Sequence, residues 1–272
     1  RFRCAQKAGG EMSRPGKIRL VARLDVKDEN LVKGIQYEGL RKLGDPHDFA
    51  VRYYKQSIDE LLYLDTVASL YERNNLGEIL RHATQDVFIP ITAGGGLRSV
   101  EDVGAVLKAG ADKAAINTAV LRCPQLITEV ARAFGSQCMV LSVQAKRRDP
   151  SNPDAGWEAY YDNGREHSGM DVLEWVRRGV ELGAGEILLS SVDCEGVQKG
   201  MDQSLIAAVS ALVDVPVIAA GGACCGQDVI QAAQNGASAV ALGSAFHYNK
   251  LQVPELKQQL EQAGIEVRKC QQ

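Results

Sequence analysis

Two glycine-rich turns carry the first chemical signal in the chain. Ile91-Thr92-Ala93-Gly94-Gly95-Gly96 follows Pro90, and Val217-Ile218-Ala219-Ala220-Gly221-Gly222 follows Pro216. Each joins a β-rich run to a helical one, where exposed backbone N–H groups and the positive end of a helix suit a phosphate. Each is echoed further on by a second such turn, Asn117-Thr118 in one case and Gly243-Ser244 in the other. Two pairs of turns outweigh plain tight-turn geometry. They read as two phosphate sites, one from Gly95, Gly96, Asn117 and Thr118, the other from Gly221, Gly222, Gly243 and Ser244. A ligand filling both is a small molecule with a phosphate at each end.

Charged residues at strand positions form a second group. Arg19, Glu60, Lys113 and Glu186 each fall on or at the beginning of a different β-rich run, and an unpaired charge buried there would be costly. Spacing alone leaves two readings open, a self-neutralising salt-bridge ring and a gate. Asp25 ends the first β-rich run, and its counterpart by repeat is Gln144 in Val143-Gln144-Ala145-Lys146. Two carboxylates at these places would supply a general acid and a general base. Only one is present, because glutamine exchanges hydrogen bonds but no proton at neutral pH. His47, His82, His167 and His247 lie apart without metal-ligand spacing and read as core or surface residues, so neither metal nor cofactor is expected. Cys224-Cys225 open the helix after the second glycine turn, where small helix-start residues are the preferred reading over a redox pair.

The elements that must position these residues alternate along the whole chain. Eight β-rich runs are expected, near 18–26, 60–66, 87–93, 113–117, 138–143, 186–191, 215–219 and 239–243, most of them followed by an amphipathic helical run. Helix starts are marked by Asp45-Pro46 and by Ser99 with Asp102. Gly95 pairs with Gly221, and the same shift of 126 residues pairs Asp102 with Asp228, Gly110 with Gly236 and Thr118 with Ser244. The chain therefore reads as two copies of one half. Eight βα units at this length predict an α/β fold of the (β/α)8 TIM barrel type, built from two repeated half-barrels, with a doubly wound open sheet as the runner-up. Closure is favoured because each half completes the other's edges. The glycine turns, Asp25 and Asp65 then lie at strand C-terminal ends, the active face of such a barrel. Two connections are long: 27–45, with Lys33-Gly34, is a candidate mobile lid, and 146–169, with an alternating run ending in Asn163-Gly164, predicts a small hairpin.

With 272 residues, 45% of them hydrophobic, and a net charge of −3, the chain can bury a sizeable core and shows no nucleic-acid footprint. The seven cysteines are odd in number and scattered, which suits reduced thiols in a cytoplasmic protein. No apolar run is long enough for a membrane span. Residues 1–16 are expected to be a disordered extension, with Met12 a candidate natural start, and 17–272 a single barrel domain.

The chain resembles the cyclase subunit of imidazole glycerol phosphate synthase from Lys17 to Arg268. The resemblance rests on Leu24-Asp25-Val26-Lys27-Asp28 with Val32-Lys33-Gly34, Asp59-Glu60-Leu61 with Asp65, and Gly94-Gly95-Gly96-Leu97-Arg98-Ser99. It continues in Gly110-Ala111-Asp112-Lys113, Ile116-Asn117-Thr118, Gly183-Ala184-Gly185-Glu186 and Phe246-His247-Tyr248. It implies a separate glutaminase subunit, forming a heterodimer, whose ammonia passes through the barrel to a bis-phosphorylated ligand, giving imidazole glycerol phosphate for histidine biosynthesis. It also implies that Asp25 is a catalytic aspartate, that Lys33 contacts phosphate, and that Arg19, Glu60, Lys113 and Glu186 gate the ammonia channel. Gln144 departs from the family, which has a second catalytic aspartate there. Glu29-Asn30 and Val197 are milder departures. A branch of the family associated with surface-sugar amidation is similar as well. It implies the alternative function, an ammonia-delivering, glutaminase-activating barrel that serves a sugar amidotransferase.

Overall fold

The computed structural model describes residues 17–68 and 76–270. The expected extension at 1–16 lies outside them. Eight parallel strands close into a barrel: β1 (Arg19–Lys27), β4 (Glu60–Asp65), β5 (Ile91–Gly94), β6 (Lys113–Ile116), β7 (Met139–Arg147), β10 (Glu186–Ser191), β11 (Val217–Ala220) and β12 (Ala239–Leu242). Closure comes from β1, which pairs with β4 along one edge and with β12 along the other. The open-sheet alternative is thereby excluded. No helix among the described residues is long and apolar enough to cross a membrane.

Side-chain alternation along β1 explains both faces of the wall. Leu20, Ala22 and Leu24 point outward into the core shared with the helices, while Val21 joins an interior layer with Leu62, Ala115, Val140, Leu188, Ile218, Ala220, Ala239 and Ala241. Burial on both faces is why these strands read as nearly continuous apolar runs. The interior residues that break such runs, Arg19, Arg23 and Asp25, share Val21's face because the period of a strand is two.

The repeat holds at atomic detail. Gly95 and Gly221 have φ of +98° and +97°, and a Cβ on Gly95 would stand 2.2 Å from the Asp65 carbonyl oxygen, so only glycine fits. Ser99 and Cys225, equivalent by the repeat, cap their helices with nearly the same backbone angles (φ −144° in each). Asp102 accepts from Arg98 N at 2.8 Å, and Asp228 accepts from Cys224 N at 2.8 Å. The cysteine pair is thus part of a helix start. The Asp228 carboxylate, with some burial, pushes the Cys224 thiol up to about 11, so it stays protonated.

Each half also carries one hairpin after its first strand. The 27–45 connection, expected as a lid, folds into β2 (Asn30–Ile35) and β3 (Glu38–Gly44). The 146–169 segment contains the predicted hairpin as β8 (Trp157–Tyr161) and β9 (Glu166–Asp171). Gln36 and Tyr37 form the two-residue turn of the first hairpin with φ of +51° and +64°, a conformation that non-glycine residues adopt only when the surroundings hold them there. Gln36 N donates to the Glu195 carbonyl at 2.8 Å, and Gln36 Nε2 donates to the Asp193 carbonyl at 3.0 Å. These bonds dock the hairpin on the loop after β10.

Candidate functional site

At the N-terminal ends of β1, β4, β6 and β10, the four charged strand residues meet in a closed ring. Arg19 donates to Glu60 and to Glu186, each at 2.5 Å. Lys113 Nζ lies 2.7 Å from Glu186 and 3.4 Å from Glu60. Signs alternate around the ring, so both buried carboxylates are matched by two cations. Above it lies the apolar interior layer, whose four alanines keep the wall lining small.

A second ring of the same connectivity stands further along β1. Arg23 donates from Nε to Asp25 at 2.7 Å and from Nη1 to Glu195 at 2.9 Å. Lys33, from β2, reaches Asp25 at 2.6 Å and Glu195 at 2.5 Å. All four are buried. The Tyr37 ring, centred 5.4 Å from the guanidinium carbon, covers one side. Asp25 and Lys33 were expected at the mouth; Arg23 and Glu195 were not singled out. A count of every second residue along β1 would have flagged Arg23 beside Arg19 and Asp25. Glu195 lies in a loop and offers no periodic signal.

The first pair of turns opens on a cavity of about 280 Å³. Gly95, Gly96, Asn117 and Thr118 line it with Arg23 and Gln144. The second hairpin closes over this side. Asn117 Nδ2 donates to the Tyr160 carbonyl at 3.0 Å, Arg122 pairs with Asp162 at 3.1 Å, and Asn163 Nδ2 donates to the Thr66 carbonyl. Gln144 belongs to the same closure, since its Oε1 accepts from Gly164 N at 2.8 Å. The second pair, Gly221, Gly222, Gly243 and Ser244, lines a separate space of only about 20 Å³ with Arg23 and Glu195. Arg23 borders both spaces.

Electrostatics set the proton inventory. Burial alone would raise the Asp25 carboxyl, but Arg23 and Lys33 hold it down at about 2, so it is ionised at neutral pH. His247 is pushed down to about 3, chiefly by burial and then by Lys33, and is neutral there; its Nδ1 lies 2.7 Å from the Tyr53 hydroxyl. An aspartate titrates near 3.9 when unfolded. Asp25 therefore contributes stability above about pH 4 that is lost as pH falls through 2. An unfolded histidine protonates near 6.5, so proton uptake by the unfolded chain at position 247 favours unfolding progressively between pH 6.5 and 3. The expected result is a denaturation midpoint that declines from pH 6.5 downward, by at most about 1.4 kcal/mol per pH unit for each group. His247→Phe should flatten the limb between pH 6 and 4; an unchanged slope in urea titrations would rule this account out.

Paired glycine turns above a charged ring, on a barrel whose halves repeat, define the class: a two-fold repeated (β/α)8 barrel. Within that class the chain belongs to the histidine biosynthesis protein family, whose sequence model matches residues 19–252. It is 57% identical over 205 residues to imidazole glycerol phosphate synthase subunit HisF of Legionella pneumophila, covering 75% of this chain and 95% of that protein. It is 48% identical over 252 residues to the subunit of the same name in Mycobacteroides abscessus, covering 92% and 98%. The Streptococcus sanguinis subunit is 46% identical over 253 residues, covering 93% and 99%. None of these three carries a name that points to sugar amidation.

Proposed function

We propose that this chain is the cyclase subunit of an imidazole glycerol phosphate synthase, which uses ammonia from a separate glutaminase subunit on a bis-phosphorylated nucleotide. The observation that carries the reading is the Arg19–Glu60–Lys113–Glu186 ring beneath an apolar barrel interior, with an open cavity at the other end. Ammonia is small and neutral and can cross an apolar layer that ammonium, as a charge, cannot. Arg19 and Lys113, whose side chains are 26% and 19% exposed, are the ring members a docked partner can reach.

In this reading ammonia emerges beside Ala115, Ser142 and Gln144, which line the larger cavity. The glycine turns hold the ligand's phosphates. Asp25, ionised, accepts a proton or hydrogen bond from the reacting centre, and Gln144 orients the ligand or water without exchanging protons. One barrel domain over 17–272 carries all these parts. The free thiol state of every cysteine among the described residues is consistent with a cytoplasmic setting.

The test is turnover by the isolated chain. With an ammonium salt and the bis-phosphorylated pathway nucleotide it should form imidazole glycerol phosphate, and with an added glutaminase subunit glutamine should replace the salt. If no product forms from either nitrogen source while the chain is folded, the cyclase reading fails.

A further inference from the structure

A buried carboxylate stands beside the second pair of glycine turns. Glu195 is 4% exposed, and its Oε2 stands 3.4 Å from where a Cβ on Gly221 would lie. Lys33 Nζ, which binds Glu195 Oε1, is 3.3 Å from the equivalent point on Gly243. The remaining space, about 20 Å³, has room for roughly one water. Two buried cations on an oxyanion beside glycine backbone are the groups that would also take a phosphate there. Arg23 Nη2 is buried without a hydrogen-bond partner. A phosphate offers an oxygen more than a carboxylate does, and an unfilled guanidinium donor is what that oxygen would take.

We propose that Glu195 is an internal anion that competes with ligand phosphate at Gly221–Gly222 and Gly243–Ser244, and that Arg23, together with Lys33, binds that phosphate once Glu195 withdraws. The inference rests on the phosphate reading of the glycine turns and adds two specificity-determining residues to it. A bis-phosphorylated ligand then seats its first phosphate in the open cavity and its second only by displacing Glu195. Transfer of Lys33 to that phosphate removes one of the two cations on Asp25, so the carboxylate becomes a better proton acceptor only when the whole ligand is in place. A ligand with one phosphate leaves the ring closed and Asp25 locked.

The experiment is a titration of the isotope-labelled chain with inorganic phosphate at constant ionic strength, following the backbone amides of both turn pairs by NMR. In the parent, Gly95, Gly96, Asn117 and Thr118 should respond first, and Gly221, Gly222, Gly243 and Ser244 at least about tenfold more weakly. Glu195→Gln should tighten the second group about tenfold and leave the first within about twofold. Adding Arg23→Met to Glu195→Gln should cancel the gain. Should Glu195→Gln not fold, Glu195→Asp, which keeps the charge on a shorter arm, is expected to tighten the second group about threefold. An unchanged second group in the folded variant overturns the competition, and a gain that survives Arg23→Met overturns the role of Arg23. Silence of both groups in every protein overturns the phosphate reading and this inference with it. Response of the first group alone, unaltered by the variants, overturns only the inference.

Discussion

Asp25→Asn is expected to lower ammonia-dependent turnover about 10²- to 10⁴-fold, with the loss in kcat rather than in KM. Asp25 is the one carboxylate of the upper ring that β1 itself carries at its C-terminal end, and two cations keep it ionised. Asparagine keeps the shape and an acceptor oxygen but cannot take up a proton at neutral pH. The change also leaves Arg23 and Lys33, both buried, with Glu195 as their single anion. Removing one partner from a buried ion-pair network costs about 3–5 kcal/mol, so turnover must be compared at a temperature where both proteins are folded. If folded Asp25→Asn retains the parent's kcat, Asp25 has a structural role only and the proton acceptor lies elsewhere.

Gln144→Asp is expected to raise kcat about 10²-fold, at the lower end of what a positioned acid–base group contributes. Position 144 lines the larger cavity and lies on β7, the fifth barrel strand, as Asp25 lies on the first. The variant places a carboxylate on each half of the mouth. It also shortens the side chain, and the bond from Gly164 N to Gln144 Oε1 is lost, which loosens the second hairpin and should raise KM. Steady-state kinetics with ammonium as the nitrogen source separate the two effects. A variant no faster than the parent, beside an inactive parent, would mean that the barrel passes ammonia on without using it.

The two rings show how far local signals reach. Arg19, Glu60, Lys113 and Glu186 were legible because each is a charge on or at the start of an otherwise apolar strand, a conflict that draws attention without knowledge of the fold. Spacing left open whether they meet. Barrel closure settles that, bringing Arg19 to Glu186 across a separation of 167 residues. Arg23 carries the same conflict on the same strand face, but its partner, Glu195, sits in a loop 172 residues away and has no strand periodicity to mark it. The Lys27–Asp45 connection was legible as functional through its length and Lys33, yet its hairpin was not. Its turn, Gln36-Tyr37, lacks the glycine or asparagine that normally announces one, and tertiary contacts with Asp193 and Glu195 hold it instead.

By itself the sequence determined the eight strands, the half-and-half repeat, the glycine turns and the missing second carboxylate. All of these depend on residue type and short-range spacing, which the chain carries before it folds. Only the tertiary structure decided which charges neutralise which, that Glu195 and Lys33 come beside the second pair of turns, and that Gln144 is tied to Gly164. Those outcomes depend on strands distant in sequence becoming neighbours in a closed barrel. In that low-dielectric interior each buried charge must find whichever partner the closure brings within reach.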